Sequence, residues 1–223
     1  LDSQQKAGYI PAFLFGEKNM KIMLISGSHR HHSQSEKVAR YVAQSLLDNG
    51  QATETEVFSL AGNPLPLWDD GIWNGDAGWK ALLNPLSEKL AASDGFVIVS
   101  PEWHGQVPAG LKNFFLLWGA GELAHKPALI IGVSSVDGGA YPVAELRMSS
   151  YKNNRICYLP EHLIVRNVES VLNEDSSKNN PDTDRYFRER IVYAGGILGA
   201  YAAALKSVRD SGVTQTDVFR NGM

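Results

Sequence analysis

The stretch Ile22-Met23-Leu24-Ile25-Ser26-Gly27-Ser28-His29-Arg30-His31-His32-Ser33-Gln34-Ser35 decides the fold. It begins as a continuous apolar run. It leads into a segment where Val38, Val42 and Leu46 share one face with Ala39 and Ala43 at helical spacing. It therefore reads as a strand over Lys21–Ser26, a hydroxyl-rich loop with one arginine, and a helix over residues 35–48 closed by Asn49-Gly50. Free backbone N–H groups and the positive end of the helix dipole meet at such a junction. A phosphate placed there would meet the hydroxyls of Ser28, Ser33 and Ser35 and the Arg30 guanidinium, with Gln34 beside them. The same residues also fit a plain turn in which Ser33 or Ser35 caps the helix and Arg30 is solvated. Neither a Walker A motif nor a G-x-G-x-x-G fingerprint is present. Taken alone, the loop leaves both readings open.

Outward from this stretch the chain alternates. Residues 54–60 read as a half-buried strand, residues 63–75 as a long loop, and Ala77–Ala92 as a helix with Leu82, Leu86 and Leu90 on one face and a kink or split at Pro85. Residues 95–99 and 128–133 are fully apolar, as strands buried on both faces of a parallel sheet are. Between and after them come a loop (101–110), a short apolar helix (111–118), a loop of small residues (134–139), a helix (141–152) and a last strand (162–165). A polar, mobile insert is expected over 176–184 and a closing helix over 185–209. Alternation of this kind predicts an α/β three-layer sandwich with right-handed crossovers and helices on both faces. Five strands favour the flavodoxin-like order 2-1-3-4-5, with ligand at the carboxyl ends of strands one, three and four. The three unusual loops follow those three strands.

Composition sets the bounds. The 223 residues suffice for one domain with its own core, and 43% hydrophobic and 20% charged content is ordinary for a soluble protein. A net charge of −3 gives no reason to expect a nucleic-acid or membrane partner. The single cysteine, Cys157, excludes an internal disulfide, suits a reducing, cytoplasmic setting, and reads as a buried, inert thiol. Residues 1–19 stand apart from the domain at 20–223. They read as an ordered arm, a partner-binding tail or an artefact of the start site.

Three motifs resemble the NADPH-dependent FMN reductase family, which includes flavin-dependent quinone and azo reductases. The first is G-S-x-R-x-x-S, here Gly27, Ser28, Arg30 and Ser33. The second is P-E-Y-N-G followed by a proline and L-K-N, here Pro101-Glu102-Trp103-His104-Gly105, Pro108 and Leu111-Lys112-Asn113. The third is the small-residue loop Ser134-Ser135-Val136-Asp137-Gly138-Gly139. The resemblance implies that the first loop holds the FMN phosphate and that the other two line the flavin, through Ser134, Ser135, Asp137, Gly138 and Gly139 in the third. It implies NADPH or NADH as hydride donor, a small electron acceptor, a ping-pong scheme, and a homodimer or homotetramer. Trp68, Trp73, Phe114, Phe115 and Trp118, large apolar groups in loops and short helices, are the chain's own motive for an oligomer.

Trp103 and His104 replace the family's tyrosine and asparagine, which bears on ring geometry and acceptor choice. No side chain is assigned a catalytic proton transfer, because the flavin carries the chemistry. Glu102 is expected to orient its loop or to face a neighbouring subunit. His29, His31 and His32 are too tightly spaced for helical metal-ligand geometry, and no metal site is assigned. The Asp69-Asp70 pair is expected to be solvated. An FMN-binding electron carrier and a flavin-free module of the same fold stay open at this point.

Overall fold

The computed structural model describes residues 19–215 together with 218 and 219. The segment read as an N-terminal extension therefore lies, Asn19 aside, outside the described residues. Five strands, β1 (Lys21–Ser26), β2 (Glu54–Ser59), β3 (Gly95–Pro101), β4 (Pro127–Val133) and β5 (Cys157–Val165), form one sheet of order β2-β1-β3-β4-β5. All four pairings are parallel. The flavodoxin-like expectation is met. Five α-helices complete the fold: α1 (Gln34–Asp48), α2 (Ala77–Ala92), α3 (Ala109–Leu117), α4 (Ala140–Ser149) and α5 (Pro181–Asp210).

Two cores flank the sheet, because side chains alternate between its faces along every strand. Ile22, Leu24, Val97, Val99, Leu129 and Ile131 point to the side covered by α1 and α5. Met23, Ile25, Phe96, Ile98, Ala128 and Ile130 point to the side covered by α2, α3 and α4. β3 and β4 are buried at every position, which is why both read as unbroken apolar runs.

Several elements differ from the sequence reading. Helix α2 buries Leu83, Leu86 and Leu90, while Leu82 is exposed and turned outward. The i, i+3, i+7 row faces the sheet rather than the i, i+4, i+8 row. The helix runs through Pro85 as one element, with that proline on its exposed face. Strand β5 begins five residues before its expected start at His162, as a half-buried edge strand. The 176–184 segment is ordered: a 3₁₀ turn occupies Ser176–Lys178, and α5 starts at Pro181 with Asn180 accepting from the Thr183 N–H. Helix α5 is long and apolar enough to cross a membrane by length and composition. Here it packs Phe187, Ile191, Ala194, Leu198 and Ala202 into the core on its side of the sheet. The five residues cited for oligomerisation separate as well. Phe114, Phe115 and Trp118 belong to the core and Trp68 is half-buried, whereas Trp73 is 78% exposed.

Candidate active site

The carboxyl ends of β1, β3 and β4 lie side by side, and the loops that leave them are tied together. In the first loop, Gly27 N–H donates to Val99 O of β3 at 2.8 Å. A Cβ at Gly27 would lie 2.6 Å from Leu111 Cδ2 and 2.9 Å from Val99 O, so no side chain fits that approach. Ser28 is buried and its Oγ accepts from the Arg30 amide at 3.3 Å. Ser33 caps α1, its Oγ accepting from Glu36 N–H at 3.1 Å. Both hydroxyls keep their protons to donate. The amides of Gln34 and Ser35, at the first turn of α1, donate to nothing among the described residues.

Charge in this loop is one-sided. Arg30 is exposed and His31 and His32 stand beside it. The nearby acid, Glu36, is taken: Arg40 Nη2 lies 2.5 Å from its Oε1, and Ser59 Oγ donates to its Oε2 at 3.0 Å. The Arg40 hydrogen bond, helped by Ser59, holds the Glu36 carboxyl below its usual range. Gln34 Oε1 is buried and has no partner among the described residues. These features fit FMN on two counts. A phosphate dianion meets free amides, hydroxyl protons and an uncommitted guanidinium. A hydroxylated chain beyond it can donate to the orphaned Gln34 oxygen.

The second loop turns sharply. Trp103 N–H donates to Gln106 O at 3.2 Å and Gln106 N–H to Trp103 O at 3.0 Å, with φ +51° at His104 and +72° at Gly105. Positive φ at both central residues is the type I′ geometry, for which Asn-Gly is the preferred pair. The family's N-G at these positions therefore has a backbone reason, and histidine is among the few residues that tolerate the same conformation. Glu102, inferred to orient its loop or face a neighbour, reaches the third loop: its Oε2 accepts from Gly139 N–H at 2.6 Å. Farther on, Val107 N–H donates to Glu145 Oε2 at 2.7 Å, and Lys112 pairs with Glu145 Oε1 at 2.5 Å. Asn113 of the L-K-N run is buried. It accepts from Trp68 N–H at 2.8 Å and donates to Pro66 O at 2.7 Å, fastening the long loop after β2.

The third loop needs its glycines. A Cβ on Gly138 would lie 2.8 Å from Glu102 Oε1, and Gly139 sits at φ +99° as the N-cap of α4. Arg166 Nε donates to Gly138 O at 3.1 Å and Ser134 N–H to Val165 O at 3.0 Å, anchoring the loop from β5. Ser135 and Asp137 are exposed. Pro101 is the last residue of β3 and is buried.

The structure thus gathers the sequence-derived residues along one sheet edge. Sequence reasoning missed His29 and Glu145. His29 Nε2 accepts from Gly110 N–H at 2.8 Å at the start of α3, and its ring meets Trp103 edge to face, with centroids 5.3 Å apart at 87°. Nothing local marks such contacts, because the partners are distant in the chain. No group of three metal-ligating side chains occurs among the described residues. Asp69, expected to be solvated, accepts from Trp79 Nε1 and Gly71 N–H, both at 2.8 Å. A groove of about 810 Å³ lies beside the site, walled by Trp68, Trp73, Phe115, Leu116 and the Lys112–Glu145 pair.

Comparison with known proteins places the chain in a family. Over 173 residues the chain is 27% identical to the FMN-dependent NADPH-azoreductase of Staphylococcus aureus, spanning 77% of this chain and 90% of that one. It is 30% identical over 117 residues to the NADPH azoreductase of a Bacillus strain, a match covering 52% of this chain and 59% of the relative. Among solved structures, the flavoenzyme NAD(P)H:(acceptor) oxidoreductase FerB of Paracoccus denitrificans superposes with a TM-score of 0.62 at 24% identity, over 84% of this chain and 98% of that one. The NADH:FMN oxidoreductase EMOB gives 0.60 at 17% identity, over 90% and 99%. Both share the fold. The profile of the NADPH-dependent FMN reductases matches residues 20–170, and the chain belongs to that family.

Proposed function

We infer that residues 20–223 act as one flavin-binding unit and that the enzyme passes hydride from NADPH or NADH, through FMN at the β1/β3/β4 edge, to a small acceptor such as a quinone, a flavin or an azo compound. FMN supplies the redox chemistry when bound. Ser28, Arg30, Ser33, Gln34 and Ser35 hold its phosphate and adjoining chain. Pro101, Glu102, Trp103, His104 and Gly105 on one side, and Ser134, Ser135, Asp137, Gly138 and Gly139 on the other, shape the ring's berth. Glu102 keeps these two walls at fixed separation through Gly139. Donor and acceptor take turns over one face, which makes the scheme ping-pong, and no side chain needs to move a proton. The observation that carries this reading is the unopposed positive charge and free amides of the first loop, set beside two loops locked together by the Glu102–Gly139 contact.

The test is the visible spectrum of the purified protein, followed by NADPH under anaerobic conditions and then a quinone. Flavin absorbance that bleaches with NADPH and returns with the quinone is expected. A protein that takes up no FMN refutes the reading, and one that binds FMN without oxidising NADPH is an electron carrier instead. A cytoplasmic setting is proposed, which the single cysteine suits. A homodimer or homotetramer is proposed from the exposed Trp73 and Leu116 in the groove wall, 78% and 62% accessible. A monomeric mass by light scattering at micromolar concentration would refute it.

A further inference from the structure

We propose that His29 is a positioning residue of the flavin site, and that it holds Trp103 and the start of α3 in place only as a neutral imidazole, so that the fit of the acceptor is governed by the protonation of His29. The inference rests on the flavin reading above. It stands on two contacts and on the glycine that makes room for one of them. His29 Nε2 accepts from Gly110 N–H at 2.8 Å, so this nitrogen carries a lone pair and the proton sits on Nδ1. Gly110 is in the first turn of α3, whose N-cap, Pro108, offers no side-chain acceptor. His29 therefore supplies from another loop the cap that α3 lacks. A Cβ on Gly110 would lie 2.3 Å from His29 Nε2, so the glycine leaves the imidazole its seat. The same ring stands edge-on to the Trp103 indole, linking the first and second loops at the position where this chain departs from the family's tyrosine.

Protonation would put an N–H where Gly110 already presents one. Two donors would then face each other beside the positive end of a helix dipole, and the contact would open. The charged or titratable groups on the surrounding elements are Arg30, His31 and His32 of its own loop, Glu102 and His104 of the β3 loop, and Lys112 of α3. None of them hydrogen-bonds the imidazole, and burial pushes its pKa below the ordinary 6.5. A lowered folded-state value means that the unfolded chain takes up the proton first. The lock is intact above about pH 6.5 and is lost as the pH falls through the folded-state value.

The experiment begins with the flavin-free wild-type protein. Imidazole ¹⁵N signals report the tautomer and titration of His29, and the Trp103 indole N–H signal, identified by its loss in Trp103→Phe, reports the second loop. The expected result is an Nδ1–H tautomer, a midpoint below 6.5, and a Trp103 shift with the same midpoint. The FMN-loaded enzyme is then assayed for KM toward a quinone from pH 5 to 8. Wild type should show a rise of about two- to ten-fold on acidification, the loss of one neutral hydrogen bond. In His29→Gln, which keeps an acceptor but cannot titrate, KM should stay low and flat. In His29→Leu it should be raised and flat. A midpoint at or above 6.5, an Nε2–H tautomer, a Trp103 signal that ignores the titration, or a His29→Gln profile that still follows acid would overturn the proposal. If His29→Leu fails to fold, the wild-type titration and His29→Gln decide it. Failure to bind FMN would sink the functional reading alone, since the spectroscopic half uses no flavin.

Discussion

Removing the Glu102 carboxylate tests whether the second and third loops act as one wall. The carboxylate oxygen accepts from Gly139 N–H at 2.6 Å, and Gly139 is the left-handed N-cap of α4, a cap without a side-chain hydrogen bond of its own. A hydrogen bond with one charged partner contributes roughly 1.5–3 kcal/mol, and a neutral one about 0.5–1.5 kcal/mol. Glu102→Ala should therefore destabilise the fold by about 1.5–3 kcal/mol, and Glu102→Gln by about half of that. In a chain of this size the alanine variant should melt roughly 3–12 °C lower, because each kcal/mol moves the midpoint by about 2–4 °C. Differential scanning calorimetry measures the first effect and fluorescence titration with FMN the second. FMN affinity should fall in the same order, alanine below glutamine below wild type. Equal melting temperatures and equal FMN affinities in all three proteins would show that the loops hold their places without this contact, and the locked-wall argument would fail.

Other perturbations separate the remaining parts of the site. Arg30→Ala should weaken FMN binding by about ten- to a hundred-fold, the worth of one charge-assisted phosphate contact, and an unchanged dissociation constant would place the phosphate elsewhere. Trp103→Tyr combined with His104→Asn should reorder the rates with several quinones and an azo dye while leaving FMN affinity intact, since the phosphate loop is separate; an identical ranking would demote both side chains to packing. Asn113→Ala removes two hydrogen bonds to the 63–75 loop and should cost about 1–3 kcal/mol by chemical denaturation, with faster proteolysis near Trp68. Lys126, buried, donates to the carbonyls of Leu90, Ala91 and Glu122 at 2.7–2.8 Å, so Lys126→Met should lower the melting temperature and loosen the C-terminus of α2 in hydrogen exchange.

What could be read in the sequence follows from which forces are local. β3 and β4 are buried on both faces, so their residues carry the signal by themselves. β5 is a sheet edge whose apolar residues fall in two short runs, Cys157-Tyr158-Leu159 and Leu163-Ile164-Val165, split by the exposed Pro160 and the half-buried Glu161 and His162, so only the second run read as a strand. The start of α5 did carry a signal, Asn180-Pro181, a cap followed by a first-turn proline, but the surrounding polarity of 176–184 masked it. The position of the site was legible because loops at the carboxyl ends of β1, β3 and β4 must converge in this topology. Its internal fastenings were not. Glu102 meets Gly139 across 37 positions and His29 meets Gly110 across 81, and such pairs exist only once the strands are ordered.

The turn at His104-Gly105 has a consequence for how this site can change over time. With φ at +51° and +72°, the backbone favours a few residue types at position 104, foremost glycine, asparagine, aspartate and histidine. Those four differ sharply in chemistry: no side chain, a neutral amide, a carboxylate that only accepts, or an imidazole that can donate and accept. Variation at this position is thus weighted toward a short alphabet of functionally distant letters. A lineage altering it would jump between distinct chemical environments rather than drift through graded ones, and a laboratory library here can begin with those four residues.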